Sequence, residues 1–160
     1  MQASFKGPWP QSQVEQFLEE TRFPLRLACV GADGYPRVVS VWFRYSQGKF
    51  FCVSHRASGL IRMLRGSGRV GFEVAPNEPP YHGVRGQGDA VISEMGGEAV
   101  LNELLDRYLG GAESELANWL LSRGEDELLI TITVRRWFSW DYRQRMSDVA
   151  VAASGEQGSA

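Results

Sequence analysis

The side chains best suited to bind an anion stand in a polar turn, residues 54–59, between a strand-like run and a short helix. A helix N-terminus offers unpaired N–H groups and the positive end of the helix macrodipole, and both favour a phosphate. The candidate ligands are Ser54, Arg56, Ser58, the N–H group of Gly59, and Arg62 one turn into the helix. They predict a phosphate site. The alternative is an ordinary helix start with Ser58 as the N-cap residue and exposed arginines.

An apolar strand near this turn offers a surface for a flat ring. Within residues 36–45, Val39 and Val41 point one way, and Ser40 and Trp42 point the other, because side chains alternate along a strand. Both faces are mostly apolar, so we expect the strand to be covered on both sides. A ring surface beside a phosphate site favours a phosphate-tailed aromatic cofactor.

The other polar groups are weaker candidates. The two histidines, His55 and His82, have no ligand spacing, and no metal site is expected. The glycines of residues 83–88 lack dinucleotide-binding spacing and are read as structural glycines of a bent strand. Residues 135–143 are dense in arginine and aromatic side chains. That composition predicts either stacking on a ring or a protein interface.

Composition narrows the class of protein. The chain has 160 residues, 43% hydrophobic and 22% charged, which is ordinary for one globular domain. Its net charge of −2 argues against nucleic acid as the main partner. No signal peptide and no membrane-spanning apolar run are recognisable, which predicts a cytoplasmic protein without a membrane partner. Cys29 and Cys52 lie in apolar strand-like runs and are expected to be buried free thiols.

Hydrophobic periodicity predicts one domain over residues 1–146, mainly β with flanking helices. We expect an irregular start through Pro10, a helix at 11–22 capped by Ser12, and a helical excursion at 97–122. The six expected strands cover residues 25–30, 36–45, 49–54, 69–74, 83–93 and 127–140. Strands in hairpin-like succession suggest a closed or nearly closed antiparallel barrel. Residues 147–160 are small and polar, which predicts a flexible tail.

Four runs in this order resemble the pyridoxamine 5′-phosphate oxidase-like proteins, the FMN-binding split β-barrels. The runs are Gly34-Tyr35-Pro36-Arg37-Val38-Val39-Ser40-Val41-Trp42-Phe43, Ser54-His55-Arg56-Ala57-Ser58, Arg69-Val70-Gly71-Phe72 and Arg136-Trp137-Phe138-Ser139-Trp140. The resemblance covers about residues 17–143. It implies a six-stranded antiparallel split β-barrel, and a homodimer with two cofactor sites at the subunit interface. It also implies FMN as the redox carrier or, in a deazaflavin-dependent branch, an 8-hydroxy-5-deazaflavin coenzyme.

The resemblance assigns roles to positions of this chain. Arg37 and Ser58 match phosphate-contacting residues, and Ser54 matches a hydroxyl position near the phosphate. The strand whose backbone lies against the ring is matched by Val39, Ser40, Val41 and Trp42. Trp140 and Arg143 fall in the C-terminal segment that tends to reach the partner subunit's site.

One departure concerns the helix after the turn. Leu60 and Met63 stand where many relatives have a lysine and often an asparagine. Loss of the lysine removes a hydrogen bond to a charged group, worth about 1.5–3 kcal/mol. Arg56 or Arg62 would have to replace it.

The function expected from these features is a flavin-type oxidoreductase, dependent on FMN or deazaflavin. It would transfer a hydride to or from a small organic substrate that the sequence does not identify. No catalytic acid or base is assigned; Tyr81, His82 and Arg85 are polar groups that would line the mouth of the site. The alternatives are a non-catalytic flavin, haem or tetrapyrrole binding protein on the same barrel, and a dimer that has lost its cofactor.

Overall fold

A computed structural model describes residues 3–147 of the chain. The elements in chain order are β1 Ser4–Lys6, α1 Gln11–Glu20, β2 Leu25–Val30, β3 Pro36–Val41, β4 Arg44–Ser46, β5 Lys49–His55, α2 Gly59–Gly66, β6 Arg69–Val74, β7 His82–Ser93, α3 Gly97–Leu109, α4 Glu115–Leu121, a 3₁₀ turn Gly124–Asp126, and β8 Glu127–Asp141. Residues 143–147 add a final helical turn.

The β2–β3 hairpin shows how local sequence sets the register of the sheet. Gly34 has a φ of 81°, in the left-handed region that glycine adopts without strain. Its N–H donates to the carbonyl of Gly31 at 2.9 Å. The turn places Leu25 opposite Val41 and Leu27 opposite Val39. Because opposite residues of an antiparallel pair share a face, both valines point towards the core.

The sheet is a barrel that stays open along one seam. Its strand order is β3-β2-β6-β7-β8-β5-β4, with every pair antiparallel, and β1 adds to β8 in parallel. The two end strands, β3 and β4, follow each other in the chain across Trp42 and Phe43. The ends of the sheet are therefore neighbours in space without being hydrogen-bonded into a closed barrel.

We call this seam the split: the opening between β3 and residues 52–55 of β5. β4 pairs with residues 49–51 of β5, so beyond Phe51 that edge of β5 has no strand partner in the described part of the chain. The edge of β3 that faces away from β2 is likewise unpaired among residues 3–147. Two rows of backbone N–H and C=O groups thus border the split.

The core fills the barrel, and helices close its ends and one face. Phe50, Phe72 and Trp137 pack together, with ring centroids 5.0 to 5.7 Å apart. Helix α1 buries Val14 and Leu18. Helix α2 buries Leu60, Ile61 and Leu64 against the same core. A second cluster, formed by Leu101, Leu105 and Ala117, holds α3 and α4 against the outer face near Val53.

Several predicted elements are confirmed, but the strand count is wrong. The structure has eight strands within residues 3–147 where six were expected. The strand expected at 36–45 breaks at Trp42 and Phe43 into β3 and β4, because the chain turns there from one end of the sheet to the other. The start of the chain is also more regular than expected, because Ser4–Lys6 form β1, which pairs with β8.

Three finer expectations also change. β3 is not covered on both faces, since the Val38 side chain is 67% exposed. Helix α1 ends at Glu20 rather than at residue 22, and Pro10 rather than Ser12 is its N-cap. The tail expected at 147–160 lies outside the described residues from 148 onwards. No helix within residues 3–147 is long and apolar enough to span a bilayer.

Candidate functional site

The turn between β5 and α2 is built around two hydroxyl groups. Ser58 is the N-cap of α2, and its Oγ accepts a hydrogen bond from the Ile61 N–H at 3.1 Å. The Oγ atoms of Ser54 and Ser58 are 2.8 Å apart and share a hydrogen bond. A Cβ added to Gly59 would have open space within 4 Å. The capping role of Ser58 is confirmed, and the start of α2 faces solvent where an anion can approach.

Arg56 is held by acidic groups rather than left free. Its Nε lies 3.0 Å from Asp126 Oδ1, and its Nη1 lies 3.4 Å from Glu94 Oε2. Its backbone N–H also donates to the carbonyl of Asp126 at 2.8 Å. The turn is thus less electropositive than the sequence suggests. The ion pairs are exposed, and such pairs contribute only about 0–1 kcal/mol, so an incoming anion can exchange with the carboxylates.

The helix offers one further cation. Arg62 is exposed, and no ion pair holds it within the described chain. Leu60, which stands where many proteins of the resembling family have a lysine, is only 6% exposed and packs in the core. Of the helix residues considered, Arg62 is therefore the one left to approach an anion at the turn.

Arg37 stands apart from this turn. Its Nη2 lies 2.7 Å from Asp33 Oδ2 within the β2–β3 hairpin. No hydrogen bond or ion pair joins it to Ser54 or Ser58 among residues 3–147. Both members of the Arg37–Asp33 pair are half exposed, so reorientation of the arginine would cost little.

The ring surface predicted on β3 is present beside the split. Val39 and Val41 pack against the core. Ser40 and Trp42 face outwards, and the Trp42 ring stacks on Tyr108 with centroids 5.0 Å apart and planes at 6°. Trp42 and Val53 pack against the same outer cluster. β3 and β5 thus face each other across the split, as an apolar slot edged by unpaired backbone groups.

A pocket of about 310 Å³ opens beside the split, under α3 and α4. Its lining residues are Ser40, Val41, Trp42, Val53, Leu101, Leu104, Leu116, Leu120 and Glu127. Sequence reasoning missed Glu127. The first residue of a strand gives no signal of burial, and only the covering helices reduce its exposure to 8%. We call this cavity the helix-covered pocket.

Trp140 and Arg143 lie at the far end of the molecule. Leu128 of β8 is opposite Ser54, and a strand rises about 3.3 Å per residue, which puts about 40 Å of strand between Leu128 and Trp140. Arg143 instead binds Asp141, which also accepts the Trp9 Nε1–H at 2.9 Å. The structure does not bring Trp140 and Arg143 to the turn within one protomer.

Neither the histidines nor the thiols form a reactive centre. His55 Nδ1 accepts the Ala57 N–H at 3.1 Å. No group of three or more His, Cys, Asp or Glu side chains that could hold a metal ion occurs within residues 3–147. Cys29 and Cys52 are buried and free, as predicted. Burial raises the pKa of both thiols, so the nucleophilic thiolate is disfavoured.

The architecture matches solved structures even though sequence comparison finds nothing. No protein-family model and no curated protein matches the sequence. A structure named F420 reductase is 22% identical with a TM-score of 0.68, covering 81% of this chain and 98% of that one. A Listeria innocua protein provisionally named pyridoxamine 5′-phosphate oxidase is 15% identical with a TM-score of 0.61, covering 79% and 94%. The chain has the split-barrel fold of the pyridoxamine 5′-phosphate oxidase-like proteins.

The same fold also serves another kind of ligand. HutZ, the heme storage protein from Vibrio cholerae, is 21% identical with a TM-score of 0.60, covering 78% of this chain and 89% of that one. The split-barrel fold therefore does not by itself select a ligand, and the choice rests on the site.

Proposed function

We propose that the chain binds a flavin-type cofactor, FMN or an 8-hydroxy-5-deazaflavin coenzyme, in the split, and that it is an oxidoreductase acting on a small organic molecule. The observation that carries this proposal is the pair of unpaired strand edges beside an apolar slot that ends at the hydroxyl-lined start of α2. When bound, the cofactor supplies hydride transfer at its ring.

The residues present fit the two ends of such a cofactor. The backbone N–H and C=O groups of β3 would hydrogen-bond the polar edge of the ring, while Val41 and Trp42 supply apolar contact. Ser54, Ser58 and the open N-terminus of α2 would hold the phosphate end. Arg56 joins them once the anion replaces its carboxylate partners, and Arg37 would join them by leaving its exposed pair with Asp33. Helices α3 and α4 cover the outer side of the split.

Haem is the less favoured ligand for this site. Haem iron in proteins is usually held by a histidine, cysteine, methionine or tyrosine. Cys29 and Cys52 are buried in the core. His55 accepts the Ala57 N–H at Nδ1, and its Nε2 atom faces Asp126 Oδ2 at 3.8 Å. A cofactor with a phosphate group, in contrast, would bind the exposed N-terminus of α2.

We also propose that two copies associate, so that Trp140 and Arg143 of one copy approach the partner's split. Trp140 lies about 40 Å of strand away from Leu128, which is opposite Ser54 of the same protomer, and Arg143 lies beyond the end of β8. A groove of about 520 Å³ on the outer face of β2, β6 and β7 supports a self-association surface. Its floor lacks bulky side chains, at Ala28, Gly71 and Gly86. The exposed Val38 side chain beside it is an apolar contact, and Val38→Glu should convert the dimer to a monomer in analytical ultracentrifugation.

The test of the cofactor is a side-by-side titration of the purified protein with FMN, with the deazaflavin coenzyme and with haem, followed by calorimetry. We expect saturable binding of one flavin-type cofactor per chain. The double variant Arg37→Ala with Ser58→Ala should weaken it severely while leaving the circular dichroism spectrum unchanged. Glu78→Gln, a single exposed loop change away from the turn, is the control. Binding of haem alone, or a double variant with unchanged affinity, would overturn the assignment.

A further inference from the structure

A mostly buried glutamate stands in the wall of the helix-covered pocket, and its carboxylate has no partner in the described part of the chain. Glu127 is only 8% exposed. Among residues 3–147, no side chain or backbone group donates a hydrogen bond to its carboxylate, and no cation forms an ion pair with it. Burying a charged group without a partner is costly. A ligand that donated a hydrogen bond to this carboxylate would offset that cost.

The electrostatic surroundings fit a role in binding a cation. Desolvation raises the pKa of Glu127, while the nearby charges of Arg123 and His55 lower it and Asp126 raises it. These are the charged and titratable groups that act on it, and none of them touches the carboxylate. A ligand ammonium placed against Glu127 would replace the lost hydration and form a charge-assisted hydrogen bond.

The rest of the pocket is apolar. Apart from Glu127, the one polar side chain in its lining is Ser40; the others are aliphatic or aromatic. Its volume of about 310 Å³ is at the lower end of the range for small-molecule sites. An apolar body with a single donor group matches this lining, whereas a polyanion or a sugar would leave most of its polar atoms unpaired.

We propose that the helix-covered pocket binds a small apolar amine, with its ammonium group against Glu127 and its apolar body between Trp42 and Leu120. The proposal that the amine binds depends only on the lining and volume of this pocket. Because Ser40, Val41 and Trp42 belong both to this pocket and to the strand assigned to the cofactor ring, the amine would lie beside that ring. The further statement that such an amine is the enzyme's substrate rests on the proposed function.

The experiment measures binding of three phenyl-bearing probes, 2-phenylethylamine, 2-phenylethanol and the slightly larger 3-phenylpropionate, by calorimetry on the protein without added cofactor. We expect the amine to bind at least tenfold more tightly than the alcohol, and the acid to bind most weakly. Glu127→Gln should abolish the preference for the amine. Glu125→Gln, at an exposed neighbouring position, should keep it. Leu116→Trp, at a residue 48% exposed, should fill the pocket and weaken binding of both the amine and the alcohol.

Equal affinity for amine and alcohol, or a preference that survives Glu127→Gln, would overturn the proposal. Undiminished binding in Leu116→Trp would place the probe elsewhere and also overturn it. The outcome is separable from the cofactor test. Amine binding in a protein that binds neither FMN nor deazaflavin would remove only the substrate interpretation. Cofactor binding without amine binding would remove this proposal and leave the proposed function in place.

Discussion

Neutralising Asp126 should strengthen cofactor binding, because its carboxylate competes with the phosphate for Arg56. Asp126 Oδ1 lies 3.0 Å from Arg56 Nε. A phosphate that took its place on the guanidinium would remain roughly 6 Å from the carboxylate. At that distance in water, the repulsion between one carboxylate and a dianion is about 1.4 kcal/mol, or about tenfold in affinity.

Salt should reduce this gain in cofactor affinity, because dissolved ions screen the repulsion between the carboxylate and the phosphate. Screening with a Debye length of about 8 Å at physiological ionic strength cuts the repulsion by about half, to roughly threefold in affinity. Asp126→Asn should therefore tighten binding of FMN or deazaflavin about tenfold in low salt and about threefold at physiological salt. The side chain of Asp126 is 54% exposed, and its backbone carbonyl still accepts the Arg56 N–H, so the fold should be unaffected.

The assay is fluorescence titration of the cofactor at two salt concentrations. Glu78→Gln again serves as the matched control, since it removes one exposed negative charge at a loop far from the turn. If Asp126→Asn left affinity unchanged while Glu78→Gln behaved like wild type, the phosphate would not lie at Arg56. An equal gain in both variants would show a net-charge effect and would equally refute a local competition.

Three further predictions concern the described residues. Gly59→Ala should raise the free energy of unfolding by about 0.4–1 kcal/mol, because a methyl group has open space there, yet weaken cofactor binding by obstructing the helix N-terminus; a thermal melt and a titration measure the two effects. The Arg143 guanidinium holds the pKa of Asp141 well below its usual range, so its stabilisation is complete above the unfolded pKa of about 3.9 and is lost as pH falls further. Asp141→Asn should thus destabilise the protein by about 1–3 kcal/mol at neutral pH, with the difference from wild type shrinking in acid denaturation curves. Cys29 and Cys52 should resist a thiol reagent at pH 8 in the folded protein and both react in denaturant.

Local patterns account for the elements that the sequence predicted well. The Asp33-Gly34 turn defined the β2–β3 hairpin, because glycine tolerates the φ that the turn needs. Ser58 defined the start of α2 through an N-cap that depends on residues within one helical turn. Both are short-range effects, and sequence alone specifies such effects.

The features that were missed depend on long-range contacts. The break between β3 and β4 arises because the chain passes there from one end of the open sheet to the other, which no local pattern encodes. Arg56 is bound by Glu94 and Asp126, which reach it from the turn after β7 and from the 3₁₀ turn before β8. The burial of Glu127 depends on α3 and α4 covering the first residue of β8. The ion pairs of Arg56 and the burial of Glu127 change the electrostatics of the site. No local sequence pattern indicates either of them.

The most direct measurement is an amide ¹H–¹⁵N spectrum recorded while the protein is titrated with FMN and, separately, with the deazaflavin coenzyme. The split account predicts that one of the two cofactors shifts the backbone amides of Val39 to Trp42 together with those of Gly59 and Leu60. Amides that stay in place with both cofactors, or that shift only around the outer-face groove at Gly71 and Gly86, would contradict it.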